Sequence, residues 1–343
     1  MCKSGLTVFS FLILLTVLHS CKCRRESTVT SIEAEKIKTE VKCKVQRFEK
    51  DLFAVNIDSV QKYVAPLRAK YGEFFDIFNY KIIMLGSSKD PQYPERLKQF
   101  LTNKYMFDDF NRVMKVYPDL NDLNDQLSAA FLNYKEYFPE KRLPRIYSCI
   151  SGWNQSVVTS DTILAIALDK YLGRNCDFYS KLQTEHYMRY TMQREYIVPD
   201  CMKAWGYTNY EFKDSANCLL NNILYEGKMV YFVKKMLPDV HDTIVLGFTP
   251  AQLKWCNNNS EQMWTYLVGN KLLFSTNNLT IRKLVYPAPF TSYFSQESPG
   301  RAAVWLGYKI VSAYMKHNKD ITLPQLMQEP DYQKILRMSN FKP

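Results

Sequence analysis

Cys21 is the side chain whose surroundings most clearly indicate a chemical modification. An aliphatic residue, Leu18, stands three positions before it, and a small residue, Ser20, stands directly before it. The preceding segment 7–18 is uncharged and apolar, which is typical of a secretory signal, and it is too short to cross a bilayer comfortably. We therefore predict a signal peptide over residues 1–20 and acylation of the Cys21 thiol.

The pattern around Cys21 resembles the lipobox of bacterial lipoproteins, in which the acylated cysteine becomes the first residue of the mature chain. Three acyl chains on one residue would exceed the two signals that stable membrane attachment needs. Ordinary cleavage nearby, or an uncleaved anchor, is the alternative. Residues 21–40 are polar and free of aromatic side chains, which predicts a flexible tether. The tether begins with basic residues rather than an acidic run, which favours the periplasmic side of the envelope.

Histidine spacing argues against a metal centre. The predicted mature chain contains three histidines, His186, His241 and His317, and none belongs to an HxxxH or HExxH pattern. The usual zinc site of proteins needs such closely spaced imidazoles. The sequence also lacks GxSxG, GxGxxG and GxxxxGK, so no nucleophile elbow or phosphate loop is indicated. We predict no metal, no cofactor and no catalytic residue of these classes.

One carboxylate, Glu226, falls on or beside the apolar face of a predicted helix. It follows Leu219 by seven residues and Ile223 by three. A carboxylate in that position must be paired or hydrogen-bonded. Arg194, Lys228 and Arg301 are the partners considered, although Lys228 points about 200° away around the same helix.

Two interpretations of Glu226 are open, and the first concerns a candidate polar cleft. Glu226 either forms the floor of this cleft together with Asp169, Asp200, Arg194 and Arg301, or it belongs to a buried ion pair that holds two helices together. The sequence favours the ion pair.

The elements that position these residues are mostly helical. Residues 145–150 and 162–169 are short apolar runs that predict two adjacent buried strands. Residues 43–53 alternate in polarity and predict an edge strand, and Ser298 with Pro299 predicts the start of a long helix. Together they predict an α+β fold, with a single mostly helical domain over residues 41–343 around a small sheet. The other predicted helices cover residues 58–85, about 94–115, 119–138 and several segments after 183.

The charge of the chain limits its partners. The formal net charge is +11, but the basic residues are scattered, and no nucleic-acid-binding motif is present. We therefore expect no nucleic-acid partner. The expected partners are the membrane, through the N-terminal lipid, and other envelope proteins.

Several segments in the C-terminal half resemble the gliding-motility lipoprotein GldB family of the Bacteroidota. The specific part is the combination of YEGK at 225–228 with PGR at 299–301 and the helix that follows, supported by YIVPD at 196–200. The resemblance implies a cell-envelope protein tied to gliding motility and its associated secretion system. It supplies no biochemical activity.

The family is also distantly similar to predicted zinc peptidases, in which an HExxH helix precedes a helix that opens on Glu-Gly. Glu226 and Gly227 look like that third-ligand position, but residues 194–205 contain no histidine. The resemblance therefore implies a zincin-like fold whose metal-binding motif is lost, reused as a non-catalytic binding or scaffold component.

The alternative function is a metal-free periplasmic hydrolase that uses Glu226, Asp169 and Asp200. It would require two carboxylates facing each other across an open pocket at roughly 5–10 Å.

Overall fold

A small sheet lies inside a mostly helical domain. The computed structural model describes residues 41–213 and 216–343, so Cys21, the predicted signal peptide and the predicted tether lie outside the described residues. The sheet has the spatial order β1-β2-β4-β3, with β1, β2 and β4 parallel and β3 antiparallel to β4. Its strands are β1 Gln46–Arg47, β2 Arg145–Cys149, β3 Val157–Thr159 and β4 Ile163–Ala167.

Helices surround the sheet on both faces. The α-helices before β2 are α1 Phe48–Phe53, α2 Gln61–Tyr71, α3 Glu73–Ile77, α4 Tyr93–Thr102, α5 Lys104–Val116 and α6 Asn121–Tyr137. Those after β4 are α7 Asp177–Lys181, α8 His186–Arg189, α9 Ile197–Asn209, α10 Leu219–Met236, α11 Asp242–Leu246, α12 Pro250–Asn258, α13 Ser260–Gly269, α14 Asn278–Val285, α15 Ala302–His317, α16 Leu323–Gln328 and α17 Tyr332–Ser339. A π-helical segment, Phe78–Ile82, extends α3, and single 3₁₀ turns occupy Ile57–Ser59, Leu168–Tyr171 and Arg194–Tyr196.

Side chains of the two central strands alternate between two hydrophobic cores. Tyr147 and Ala165 point into the core formed with α1 to α4. Ile146 and Leu164 point into the larger core formed with α6, α9, α10 and α15. Because successive strand residues face opposite sides, a sheet covered on both faces must be apolar at nearly every position. The two apolar runs read from the sequence are therefore confirmed as paired parallel strands.

The predicted edge strand over 43–53 is wrong for most of its length. Strand pairing is restricted to Gln46–Arg47, and the chain then turns into α1. Phe48 and Leu52 lie four residues apart on one face of α1 and are fully buried. The ring of Phe48 contacts four other aromatic rings, so packing in the smaller core favours the helix.

Two long helices, α10 and α15, cross where neither has a side chain. A Cβ atom on Gly227 would lie 2.3 Å from the carbonyl carbon of Gly307, and one on Gly307 would lie 2.0 Å from the carbonyl oxygen of Ile223. Real Cβ atoms do not approach other atoms so closely. Glycine at both positions therefore sets the separation of the two helices.

The sequence predicted that α15 begins at Ser298 and Pro299, and this prediction is wrong. The helix begins at Ala302, whose N–H donates to the Thr291 hydroxyl at 3.0 Å. Ser298 instead accepts from the Thr291 N–H and donates to the Ser295 carbonyl, closing the preceding loop. The Thr291 hydroxyl, eleven residues earlier in the chain, thus accepts the hydrogen bond that a local cap would otherwise accept.

The described part of the chain offers no candidate for a transmembrane element. Among residues 41–213 and 216–343, no helix combines the length and apolar character needed to cross a bilayer.

Replacement of Gly227 by alanine should destabilise the fold, because the added methyl group overlaps the backbone of α15. We expect a loss of about 1–3 kcal/mol or more in the free energy of unfolding, as for overpacked cores. The matched control is Gly269→Ala at the end of α13, where a Cβ would meet no atom within 4 Å. Denaturant unfolding of both variants measures the difference. Equal stability of the two variants would contradict the close crossing.

Candidate functional site

Glu226 lies in the middle of α10 and is held by three side chains. Its Oε2 accepts from the Arg301 Nη2 at 2.7 Å, and both of its oxygens lie 2.8 Å from the Tyr207 hydroxyl. The Lys203 Nζ lies 3.9 Å from Oε2. The side chains of Glu226, Lys203 and Arg301 are only 16%, 22% and 21% exposed. The carboxylate is thus paired in a largely buried setting, as its place in the sequence requires.

Arg301 reaches Glu226 from an unusual backbone conformation. It is the residue before α15, and its φ of 64° lies in the left-handed region, which residues other than glycine rarely adopt. Its Nε donates to the Val285 carbonyl at the end of α14, at 3.0 Å. One guanidinium therefore joins the end of α14, the start of α15 and the middle of α10. Such strain persists only where surrounding contacts fix the residue.

Helix α9 contributes the remaining polar side chains of this centre. Asp200, Lys203 and Tyr207 follow one another at three and four residues, which places them on one helix face. Burial, and secondarily the neighbouring Arg301, lowers the pKa of Lys203 to about 8. We call Asp200, Lys203, Tyr207, Glu226 and Arg301 the ion cluster.

Asp200 connects this cluster to Tyr171. Its Oδ2 accepts from the Tyr171 hydroxyl at 2.8 Å. Burial raises the pKa of Asp200, while the Tyr171 hydrogen bond and the charges of Lys203 and Arg301 act in the opposite direction. Asp200 therefore contributes to the electrostatics of the cluster.

Two of the cations considered for Glu226 lie elsewhere. Arg194 forms an ion pair with Asp122 in the first turn of α6, with 2.8 Å between Nε and Oδ2. Lys228, on the far side of α10, donates to the Glu329 carbonyl at 3.0 Å. Of the three candidates, the structure brings Arg301 to Glu226.

Asp169 lies in a separate polar centre, directly after β4. It is fully buried and accepts hydrogen bonds from the Ser151 N–H at 3.0 Å, the Ser151 hydroxyl at 2.9 Å and the Trp153 N–H at 2.7 Å. The structure therefore does not place Asp169 with Glu226 and Asp200.

A second carboxylate, Asp109 on α5, faces Asp169. It is fully buried, and neither oxygen makes a hydrogen bond of ordinary geometry. Burial and the Asp169 charge raise the pKa of Asp109 to about 9, so the pair holds a proton at neutral pH. Asp109 was not among the residues predicted from the sequence. The available signal was its position three residues after Met106 and four before Val113, on the buried face of an amphipathic helix.

A cleft of about 470 Å³ lies beside the ion cluster. Arg301 lines it, and we name it the Arg301 cleft. None of the carboxylates Glu226, Asp200 and Asp169 lines this cleft or the more open 980 Å³ cavity around Arg112. The arrangement needed for two-carboxylate hydrolysis is therefore not present in these two cavities.

Within the ranges that the structure describes, no group of three or more His, Cys, Asp or Glu side chains is arranged to hold a metal ion.

Comparison with known proteins assigns the chain to a family. The model of a family described as gliding motility protein GldB matches residues 29–343. No curated protein and no solved structure matches the chain.

Glu226→Ala should destabilise the protein, because it leaves Arg301 and Lys203 without their carboxylate. We expect a loss on the order of 3 kcal/mol, as for other buried pairs that lose one partner. Glu226→Gln retains the shape and the Tyr207 contact and should lose less. Thermal and denaturant unfolding measure both effects.

Glu329→Ala is the matched control for Glu226→Ala. The Glu329 side chain is also 16% exposed, but its partner Lys334 is 38% exposed, so we expect a loss of about 0–1 kcal/mol. Glu226 variants that are fully stable yet inactive in the cell would show that the carboxylate contacts a ligand instead.

Proposed function

The chain belongs to the GldB family of gliding-motility proteins, and from this we propose a lipid-anchored envelope protein that serves gliding motility or its associated secretion machinery as a non-catalytic binding component. In this proposal residues 1–20 are a signal peptide, residues 21–40 a tether and residues 41–343 the working domain. The acylated Cys21 holds the domain at the periplasmic side of a membrane, where its partners are other envelope proteins.

The engagement of Glu226 is the observation that favours binding over catalysis. Both of its oxygens accept hydrogen bonds within the protein, and the side chain does not line the neighbouring cleft. A general acid or base must reach its substrate directly or through one water molecule. A carboxylate held between Tyr207 and Arg301 is suited instead to fixing the wall of a binding site.

The helix pair α9 and α10 supports a zincin-like ancestry for this domain. Lys203 and Tyr207 are four residues apart and both approach Glu226. An HExxH helix presents its two imidazoles at the same spacing. We infer that the Lys203 ammonium and the Tyr207 hydroxyl stand where a zinc peptidase would carry its histidine ligands, so that protein cations neutralise Glu226.

Cys21→Ala should abolish membrane attachment and leave a soluble chain or an uncleaved precursor, because the tether carries no second membrane signal. In a gliding host that lacks its own copy, this variant should fail to restore surface movement while the parent protein restores it. Intact-mass measurement of the membrane-extracted parent should show an acylated N-terminus at Cys21. An unmodified chain that begins at Ser20 or earlier would end the lipoprotein proposal.

Measurement of bound zinc tests two parts of the proposal, the zincin-like ancestry of the domain and the expectation that the parent protein binds no metal. The parent protein should contain no stoichiometric zinc after dialysis, and chelators should leave its melting temperature unchanged. The triple variant Lys203→His, Ala204→Glu, Tyr207→His restores HExxH and frees Oε1 of Glu226, which Arg301 does not bond. We expect about one zinc per chain in this variant, with a melting temperature that chelators lower.

The matched control adds Glu226→Ala to the triple variant and should lose the metal. The double variant Lys203→His, Tyr207→His covers the case in which the third change prevents folding. A folded variant without zinc would contradict the zincin-like geometry. About one retained zinc per parent chain would instead favour a metallopeptidase.

A further inference from the structure

The Arg301 cleft is formed where several separate parts of the chain meet. Most of its wall comes from the segment around α8, from the junction of α11 and α12, and from the proline-containing loop before α15, and Ser156 and Lys170 complete it. In that loop a Cβ on Gly300 would lie 2.0 Å from the Ala288 carbonyl oxygen, so the loop closes tightly on itself. The volume of about 470 Å³ falls among pockets that hold small ligands. A cleft of this size therefore fits the end of a peptide chain better than a long peptide segment.

The polar side chains of the cleft offer an excess of hydrogen-bond donors. Lys170, His186 and Arg301 line it, and no aspartate or glutamate does. Arg301 uses Nε and Nη2 within the protein, which leaves Nη1 without an acceptor among the described residues. The Gln252 Oε1 accepts from the Thr249 N–H, which leaves its amide nitrogen free to donate. Such a set of groups is complementary to an anion.

Two helix N-termini strengthen the same charge preference. Helix α12 begins after Thr249 and α15 begins after Arg301, and both of these residues line the cleft. The N-terminal end of a helix carries a partial positive charge. This field adds to that of the basic side chains.

The remaining wall of the cleft is apolar. It includes Tyr187, Tyr190, Phe248 and several prolines. An inorganic ion would make no favourable contact with this apolar side of the cleft. An anionic group attached to an apolar body satisfies both kinds of wall. A peptide that ends in a free carboxylate has this chemistry, and capture of a C-terminal carboxylate is a recurring mode of peptide recognition.

We propose that the Arg301 cleft binds the C-terminal carboxylate and the last few residues of a partner protein in the envelope. The proposal rests on the proposed function as a binding component and names the chemistry of its partner. The carboxylate is bound by the basic side of the cleft, where Arg301 Nη1 and the Gln252 amide remain free to donate. The preceding side chains pack against the tyrosines and prolines.

An array of decapeptides tests the proposal, each synthesised with a free C-terminus and again as the C-terminal amide. The probe is applied to the mature lipoprotein in detergent, and the affinities of bound pairs are measured by titration. We expect binding of free acids and at least a tenfold loss on amidation. Sodium phosphate should not displace the peptides at comparable concentration.

A matched pair of methionine variants locates the site. Met188 lines the cleft and is 44% exposed, whereas Met338 on α17 is 37% exposed and lies outside it. Met188→Glu introduces a negative charge beside the proposed carboxylate and should weaken binding at least tenfold, while Met338→Glu should leave it unchanged. Melting curves of both variants confirm that they are folded.

Several outcomes would overturn the inference. Binding of amides as tightly as acids, or no binding at all, would exclude capture of a chain end, and displacement by phosphate would assign the cleft to phosphate-bearing ligands. Equal effects of Met188→Glu and Met338→Glu would place the binding elsewhere. None of these results changes membrane anchoring through Cys21, so failure of this inference is distinguishable from failure of the proposed function.

Discussion

The close crossing of α10 and α15 at Gly227 and Gly307 is the constraint on which the polar centre depends. Because neither glycine carries a Cβ, the two backbones come into direct contact. Glu226 and Arg301 lie beside this crossing, one in the middle of α10 and the other at the start of α15. A wider crossing would separate the carboxylate from the guanidinium. The geometry of the ion pair therefore depends on the close packing of the two helices, which the glycines at 227 and 307 permit.

The domain neutralises buried charge in two different ways. In the ion cluster, Lys203 and Arg301 balance Asp200 and Glu226, so charge is compensated by opposite charge. At Asp109 and Asp169, burial and the repulsion between the two carboxylates outweigh the charge of Arg112, and a proton is retained instead. Folding raises the pKa of Asp109 from 3.8 to about 9, so the folded state binds more protons than the unfolded state between these values. This group therefore makes the fold less stable as pH rises through that range.

The sequence predicts those features that depend on neighbours along the chain. The apolar runs at 145–150 and 162–169 identify the central strands, because a strand buried on both faces cannot alternate. Glu226 is recognisable because a carboxylate interrupts a helical apolar face. The helical conformation that begins at Phe48 could not be inferred, because it depends on packing against aromatic residues from α2, α3 and the π-helical segment. The Asp109–Asp169 pair could not be predicted either, because its members are sixty positions apart, with α6 and three strands between them.

The segments YEGK and PGR, which carry the family resemblance, have physical explanations that involve no catalysis. Glu226 and Arg301 form the ion pair, Gly227 permits the helix crossing, and Gly300 permits the tight loop against Ala288. Each of these roles fixes the position of Arg301, whose guanidinium lies between the buried cluster and the cleft. Inside the protein it neutralises Glu226, and it also lines the Arg301 cleft, while its Nη1 makes no hydrogen bond to the described residues. A donor held so firmly at the edge of a cavity suits the proposed recognition, because preorganised donors lose little entropy when a ligand binds.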